Sequence, residues 1–342
     1  MGSDHVLGEI LDCAAEELRG QGIDVVRGPA QPPPARTLYA PHEWDHYFGR
    51  AGAILVSSRT LLPRPVLAAA PRLRGVVFGS IGCDSCDLDA ATELGIIVAN
   101  GATPQNADSM AEAVVMLAVA LLLELPDKQR RFARMAARRP PRSITSRMLA
   151  GRTLGLVGFG RTAQAVVRRL AGWDLAEIRV HTRRPDPVRW PQVRFVGLGE
   201  LLAESDVVSV HVPATDQTRG MIGAPELAAM KPGSVLINTA RGGIVDEEAL
   251  ARVLGEGHLA GAAIDTYLQE PPPPDHPLRG VNTVIGTDHV IGHTREMFDS
   301  LAPAAVDNVT AILAGRLPRY VCNPDVIARW QARHGRSDPA SS

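Results

Sequence analysis

Residues 153–163 read Thr-Leu-Gly-Leu-Val-Gly-Phe-Gly-Arg-Thr-Ala, and this stretch decides the fold. The apolar run 153–157 predicts a buried strand, and an amphipathic helix to Leu170 follows the glycines. Gly158 permits a tight turn, Gly160 lets a pyrophosphate approach the backbone, and Ala163 lets helix and strand pack closely. Glycines at this spacing also occur in plain turns. Between a strand and a helix they predict a dinucleotide-binding turn, whose cofactor-binding residues are Gly158, Phe159, Gly160, Arg161 and Thr162.

Strands and helices alternate on both sides of this turn. Short β-branched runs predict strands at 24–26, 53–56, 75–78, 96–98, 153–157, 177–181, 207–211, 235–238, 261–265 and 282–286. Helical patterns occupy 11–19, 64–70, 87–94, 110–123 and 295–313, and Gln31–Pro34 predicts a proline-rich surface loop. The alternation predicts the α/β class with doubly wound parallel sheets. Because 342 residues exceed the roughly 250–300 that one core supports, we expect two domains.

The composition argues against several classes of partner. The net charge of −1 argues against nucleic acid, and the six arginines between Arg130 and Arg142 indicate a solvated helix and connecting arm. The apolar run Ala113–Leu123 is about half of the ~20 residues that cross a bilayer, so it predicts a buried helix. No signal peptide is visible. We therefore expect a cytoplasmic protein without membrane contact.

Two cysteines form a Cys-x-x-Cys pattern, Cys83 and Cys86, which redox and zinc sites also use. A zinc site needs a second pair of ligands. We expect Cys13 and Cys322 to lie far from the first pair and from each other. The pattern therefore indicates packing, and we expect no metal site.

The end of the strand 177–181 decides which nicotinamide cofactor fits. An Asp or Glu there would accept hydrogen bonds from the adenosine ribose. This chain instead continues with Thr182, Arg183 and Arg184, and two guanidinium groups suit a 2′-phosphate. The alternative is that both arginines lie on a solvated loop. The missing carboxylate favours NADP(H), with NAD(H) left open.

Several longer motifs follow in a fixed order. They are His211-Val-Pro213 with Thr218-Arg-Gly220, the segment Lys231–Glu248 with Asn-Thr-Ala-Arg-Gly-Gly-Ile-Val-Asp at its centre, Ile264–Pro271, and Thr287-Asp-His289 followed by Gly292 and Thr294-Arg-Glu296. In these motifs, from about Ala53 to Pro324, the chain resembles the D-isomer-specific 2-hydroxyacid dehydrogenases, which include glyoxylate/hydroxypyruvate reductases and phosphoglycerate dehydrogenases.

The chemistry of 2-keto acid reduction explains three residue types in these motifs. A cation must hold the carboxylate and polarise the carbonyl, and the planar fork of Arg241 can do both. A proton donor must neutralise the developing alkoxide, which suits His289. Glu270 would orient the imidazole and favour its protonated form. We expect Arg241, Glu270 and His289 to be the catalytic residues.

The resemblance implies further contacts and exposes some departures. Asp265 would contact the nicotinamide carboxamide, and Thr239 and Ala240 would line that pocket. His211, Val212 and Pro213 would also bind the cofactor. The backbone of Ser80, Ile81 and Gly82 would bind the substrate carboxylate, as would Arg241. Asp288 replaces the usual proline before the histidine, His293 replaces a small residue, and Ser57 stands where relatives carry a substrate-facing residue. Because of these departures, the motifs do not determine which side chain the substrate carries.

The resemblance also implies the domain plan. We expect a cofactor domain at 104–293 and a discontinuous substrate domain at 1–103 and 294–342, both Rossmann-like, with a cleft between them. A homodimer would form through the cofactor domain. The implied activity is reduction of a short 2-keto acid to the D-2-hydroxy acid. Two alternatives stay open: a dehydrogenase of another small anion such as phosphite or formate, and a cofactor-sensing corepressor resembling the C-terminal-binding proteins.

Overall fold

The computed structural model describes residues 7–29 and 36–335. The chain divides into two compact units, one made of Met1–Asn106 and Thr294–Ser342 and the other of Ala107–His293. The first boundary lies after Asn106 instead of residue 103, because a helix begins at Pro104 and the chain changes unit within its first turn. The predicted loop Gln31–Pro34 lies outside the described residues.

The elements alternate along the described chain. The helices are α1 (Gly8–Gly20), α2 (Trp44–Phe48), α3 (Arg64–Ala68), α4 (Leu88–Leu94), α5 (Pro104–Leu122), α6 (Leu125–Ala133), α7 (Arg161–Arg169), α8 (Leu198–Glu204), α9 (Ala224–Ala229), α10 (Glu247–Gly255), α11 (Arg295–Leu313) and α12 (Ile327–His334). The strands are β1 (Ala53–Val56), β2 (Gly75–Phe78), β3 (Ile97–Ala99), β4 (Thr153–Val157), β5 (Glu177–His181), β6 (Arg194–Phe195), β7 (Val207–Val210), β8 (Val235–Asn238), β9 (Gly261–Ile264) and β10 (Val284–Gly286).

The first unit contains a parallel sheet in the order β1-β2-β3. Side chains of β2 alternate between its faces: Val76 and Phe78 belong to one apolar core, and Val77 packs with Trp330 and α11 residues on the other face. The prediction of a strand at 24–26 was wrong, because residues 23–29 form no strand. Ile23 and Val25 are partly buried against the core and account for the β-branched pattern.

The second unit contains a seven-stranded parallel sheet in the order β10-β9-β8-β7-β4-β5-β6. Leu156 of β4 packs into the core on one face and Val157 into the core on the other, so both faces are covered, as all-parallel sheets require. The α/β class with two parallel sheets is therefore confirmed. The strand order reverses between β4 and β7, which places a switch point at their carboxyl ends, where such folds bind ligands. The two-residue β6 was not predicted.

Helix α5 is longer than its apolar run suggested. It has 19 residues and is apolar enough to cross a membrane by length and composition. Over half of its most apolar window (56%) is buried, and Val114, Leu117 and Leu121 belong to the core of the second unit. These contacts account for its apolar character. The arginine-rich stretch after it forms α6 and then an irregular arm, in which Arg139 forms ion pairs with Glu124 and Asp127.

The cysteines correct one expectation. Cys322 does not lie far from the Cys-x-x-Cys pattern, because it packs in the same apolar cluster as Cys83 and Cys86. A hydrogen bond with Cys83, together with burial, raises the pKa of the Cys322 thiol. Burial likewise raises the pKa of Cys86 to about 12. Thiols held protonated in an apolar core agree with a packing role.

Candidate active site

The glycine-rich turn joins β4 to α7 at the switch point. Gly158 has a φ of +99°, and a Cβ there would lie 2.8 Å from the carbonyl carbon of His211, so the position excludes larger residues. A Cβ on Gly160 would meet nothing within 4 Å, which leaves open space at the amino end of α7. These residues fit a dinucleotide pyrophosphate. The Phe159 side chain is partly buried against the core, edge-on to Trp190 and Phe195.

Thr182, Arg183 and Arg184 follow β5, which is the neighbour of β4 in the sheet. Both arginines are exposed. The Thr182 hydroxyl accepts a hydrogen bond from the Arg184 amide (3.4 Å), and the Arg183 guanidinium donates to Gln217 (3.4 Å). Two cations therefore stand beside the position at which β5 would otherwise carry a ribose-binding acid.

His211, Val212 and Pro213 follow β7 on the other side of the switch point. Burial lowers the pKa of His211 to about 4, so its imidazole is neutral at physiological pH. Its Nε2 atom has no hydrogen-bond partner among the described residues. Thr218 donates to the Pro213 carbonyl (2.5 Å) and holds the turn that follows.

Arg241 lies in a tight turn after β8. Asn238, the last residue of the strand, accepts from the Ala240 amide (3.2 Å) and donates to the Arg241 carbonyl (3.0 Å). The guanidinium donates to the Ala240 carbonyl (2.7 Å), and Thr239 in the same turn is buried. Asn238 thus fixes the turn that presents Arg241, a role that the sequence analysis missed.

Glu270 and His289 form a hydrogen-bonded pair. The Nδ1 atom of His289 lies 3.0 and 3.1 Å from the two Glu270 carboxylate oxygens, and both side chains stay partly exposed. Burial raises the pKa of the Glu270 carboxyl, but the hydrogen bond and charge of His289, the Tyr267 amide and the charge of Arg241 outweigh it, so the pKa is lowered. The pair therefore contains a carboxylate, and it uses the Nδ1 atom of His289 and not Nε2.

Asp265 holds the loop that carries His289. Its Oδ1 atom accepts from the Thr287 hydroxyl (2.7 Å) and from the amides of Val290 (3.0 Å) and Ile291 (3.2 Å). His289 itself has a φ of +65°, a left-handed conformation that costs a non-glycine residue roughly 1–3 kcal/mol. The three bonds to buried Asp265 stabilise this conformation. The sequence indicates only a cofactor contact for Asp265, and this positioning role appears only in the fold.

Three neighbouring strands thus place the predicted catalytic residues at the carboxyl end of the sheet. Arg241, Glu270 and His289 follow β8, β9 and β10, which are neighbours. His293 lies close to them: burial and the charge of His289 lower its pKa, while Asp265 and Asp288 act in the opposite direction. Asp288, the residue in the usual proline position, is exposed.

The predicted substrate loop belongs to the first unit. Ser80, Ile81 and Gly82 follow β2, and their carbonyls accept from the Gly101 amide (2.8 Å), the Asn100 side chain (2.7 Å) and the Ser80 hydroxyl (3.2 Å) respectively. Asn100, which the sequence analysis did not single out, therefore holds this loop. Ser57 follows β1 at the carboxyl end of the same sheet and is buried.

Comparison with known proteins identifies the family. The sequence pattern described as "D-isomer specific 2-hydroxyacid dehydrogenase, NAD binding domain" matches residues 115–290. The chain belongs to this family. It is therefore an oxidoreductase that uses a nicotinamide cofactor, and the predicted family and enzyme class are confirmed.

Relatives show which activities occur nearby in the family. This dehydrogenase is 38% identical to a glyoxylate reductase of Thermofilum pendens, over 77% of its own chain and 78% of the relative. It is 40% identical to an (S)-sulfolactate dehydrogenase of Chromohalobacter salexigens, over 77% and 85%. The crystal structure of a glyoxylate reductase from Paecilomyes thermophila superposes with a TM-score of 0.77 at 26% identity, covering 91% and 94% of the two chains.

Proposed function

We propose that this dehydrogenase reduces a short 2-keto acid to the D-2-hydroxy acid, with NADPH favoured over NADH. The observation that carries the proposal is the His289–Glu270 pair, with a distance of 3.0 Å, at the carboxyl end of the sheet where Arg241 also lies. A cation, a proton donor and an orienting carboxylate are the groups that this reduction needs. The names of the glyoxylate and sulfolactate relatives support a small anionic substrate.

The proposed roles follow from the side chains. Arg241 binds the substrate carboxylate and draws electron density from the keto oxygen. A nicotinamide cofactor, which Gly158, Gly160 and the residues Thr182–Arg184 would hold, would supply the hydride. His289 donates the proton from Nε2 to the developing alkoxide and accepts it again in the reverse reaction. Glu270 holds the ring through Nδ1 and stabilises the imidazolium with its charge. Ser80, Ile81 and Gly82 are proposed to bind the carboxylate through their backbone.

The NADPH preference rests on charge at the end of β5. A 2′-phosphate carries negative charge that Arg183 and Arg184 can neutralise, and Thr182 offers a hydroxyl in place of the acid that would repel it. The preference should be at least tenfold in kcat/KM, which corresponds to about 1.4 kcal/mol. Exchanging Thr182 for Asp and Arg183 for Ser should reverse it.

A homodimer through the cofactor domain is part of the proposal. Near α5 and α6 several large apolar side chains are exposed, with Phe132 at 88%, Met135 at 94% and Met148 at 71%. Groups of exposed apolar side chains on a protein surface often mark sites of interaction with another protein. A second copy of this chain, with the same arm, would cover them in an isologous interface. The test is to compare the molecular mass of the purified wild-type protein with that of the Phe132→Glu variant by light scattering.

One spectrophotometric screen tests the activity. Purified enzyme is assayed with NADPH and NADH against glyoxylate, hydroxypyruvate, pyruvate and 3-sulfopyruvate, and in the oxidative direction against formate and phosphite. Turnover of a keto acid with NADPH supports the proposal. Turnover of formate or phosphite alone, or nicotinamide binding without any turnover, would favour another small anion or a cofactor-sensing protein and refute it.

A further inference from the structure

The segment between β9 and β10 carries Glu270 on an exposed stretch. Residues 268–271 are exposed, and the chain returns to the interior only at His276 and Leu278. A surface segment with so few buried contacts has little core packing to fix its shape. The position of the Glu270 carboxylate therefore depends on what holds the two ends of the segment.

One carboxylate joins those two ends. Glu247, the first residue of α10, accepts a hydrogen bond from the Leu268 amide through Oε1 (2.7 Å) and contacts the Nε2 atom of His276 through Oε2 (2.8 Å). The Glu247 and His276 side chains are only 14% and 7% exposed. Hydrogen bonds to an ionised group are strong, and shielding from water strengthens them further. Glu247 thus binds both ends of the segment, and its two contacts, with Leu268 and with His276, are called the clasp below.

The contacts continue from the clasp to Glu270. The Nδ1 atom of His276 accepts from the Leu278 amide (3.4 Å), which leaves the Nε2 proton for Glu247. The imidazole packs edge-on against Tyr267, with ring centres 5.3 Å apart. The Tyr267 amide donates to Oε1 of Glu270 (3.1 Å), and its hydroxyl donates to the Ile264 carbonyl (3.0 Å). Each end of the clasp therefore lies within two contacts of the carboxylate that orients His289.

We propose that Glu247 is a positioning residue for the reaction: it acts through Leu268 and His276 to keep the Glu270 carboxylate beside His289. It touches neither member of the catalytic pair in the described contacts. The inference rests on the proposed function, because it assigns Glu247 a part in the same proton transfer. A purely structural carboxylate would stabilise the fold without changing what Glu270 contributes.

The experiment compares variants of one helix turn. Glu247→Ala removes both bonds, and Glu247→Gln keeps an acceptor for the Leu268 amide. Glu248→Ala, at the adjacent exposed position, is the matched control. Each change is also made in a Glu270→Gln background. Hydrogen exchange by mass spectrometry follows the peptide 267–278, and the pH dependence of kcat is measured for NADPH-dependent reduction of glyoxylate.

We expect Glu247→Ala to speed exchange in the 267–278 peptide and to lower kcat about tenfold to a hundredfold, because small displacements of a catalytic group cost this much. Its pH profile should move to more acidic values, as in Glu270→Gln, where the imidazolium loses its neighbouring charge. In the Glu270→Gln background the same substitution should change kcat less than twofold. Glu247→Gln should recover most of the loss, and Glu248→Ala should match the wild type.

Two results overturn the inference in an active enzyme: unchanged exchange in Glu247→Ala, or an equal fold-change in kcat in both backgrounds. If Glu247→Ala does not fold, His276→Gln breaks only one bond of the clasp and carries the same expectations at a smaller fold-change. A wild type that reduces no 2-keto acid refutes the proposed function, and the inference falls with it. The wild-type assay alone thus separates the two failures.

Discussion

Substituting alanine for Gly242 should remove most of the activity while leaving the cofactor bound. A Cβ at this position would lie 1.8 Å from the carbonyl oxygen of Tyr267, 2.0 Å from its carbonyl carbon and 2.5 Å from the amide nitrogen of Leu268. All three are backbone atoms, so no side-chain rotation relieves the overlap. The turn that presents Arg241 and the segment that carries Glu270 pack against each other only because residue 242 is glycine.

The expected magnitude follows from that geometry. Real Cβ atoms essentially never approach closer than 3.0 Å, so the two backbones must separate by about 1.2 Å, the difference from 1.8 Å. A misplacement of about 1 Å in an active site costs roughly 10²-fold in rate. We therefore expect kcat for keto acid reduction to fall by about 10² or more in Gly242→Ala. NADPH should still bind, since the glycine-rich turn that would hold its pyrophosphate lies after a different strand.

The assay is the initial rate of NADPH oxidation with the best keto acid, together with NADPH binding by fluorescence and a thermal unfolding curve. Gly255→Ala is the control, because it is the same chemical change at the end of α10, where a Cβ would meet nothing within 4 Å. That variant should keep wild-type kinetics. A folded Gly242→Ala enzyme with native kcat would refute the reasoning.

Three other predictions concern single side chains. Arg241→Lys keeps the charge but not the planar fork, so kcat/KM for the keto acid should fall about 10²-fold, at the lower end of the 2–5 kcal/mol that losing a desolvated partner costs. The kcat/KM for the corresponding keto amide, which has no carboxylate, should hardly change. An unchanged rate with every keto acid would contradict the assignment. His289→Gln should lower kcat roughly 10²–10⁴-fold with NADPH binding intact, and a smaller effect would remove His289 as the acid. For His211, the folded pKa of about 4 lies below its ordinary value of 6.5, so its contribution to stability is complete above pH 6.5 and is lost as the pH falls toward 4. It should account for about 2 kcal/mol of the stability lost between pH 7.5 and 5.0 in urea unfolding, a difference that His211→Asn should abolish.

Local patterns predicted most of the second unit. Strands β4, β5 and β8 begin and end at the predicted residues. In β4 and β8 a mostly apolar run marks the buried parallel strand, and in β5 the apolar Ile178 and Val180 alternate with polar residues, so neither pattern needs tertiary information to find. The prediction failed at 24–26, where Val25 packs partly against the core and Val26 is exposed, and neither belongs to a strand. It also missed β6, since two residues give no period to detect.

The candidate site shows where sequence reasoning ends. Arg241, Glu270 and His289 could be named because each lies in a motif, and because a hydride-transfer reaction on a keto acid demands a cation, a carboxylate and an acid. Asn238, Asp265 and Glu247 could not be given their roles this way. Their partners lie up to 29 residues away along the chain, and which oxygen meets which amide depends on how turns after different strands pack.

The sequence by itself determined the class of the fold and the glycine-rich turn, and it supplied the candidate reacting groups, because strand and helix periodicity, glycine spacing and side-chain chemistry are local properties. The tertiary structure alone decided how those groups are held. The left-handed backbone at His289, the clasp at Glu247 and the close backbone approach of Tyr267 that requires Gly242 all arise where the ends of β8, β9 and β10 meet. Parallel order brings those ends to one edge, and the order of strands in a sheet is a property of packing that no single segment carries.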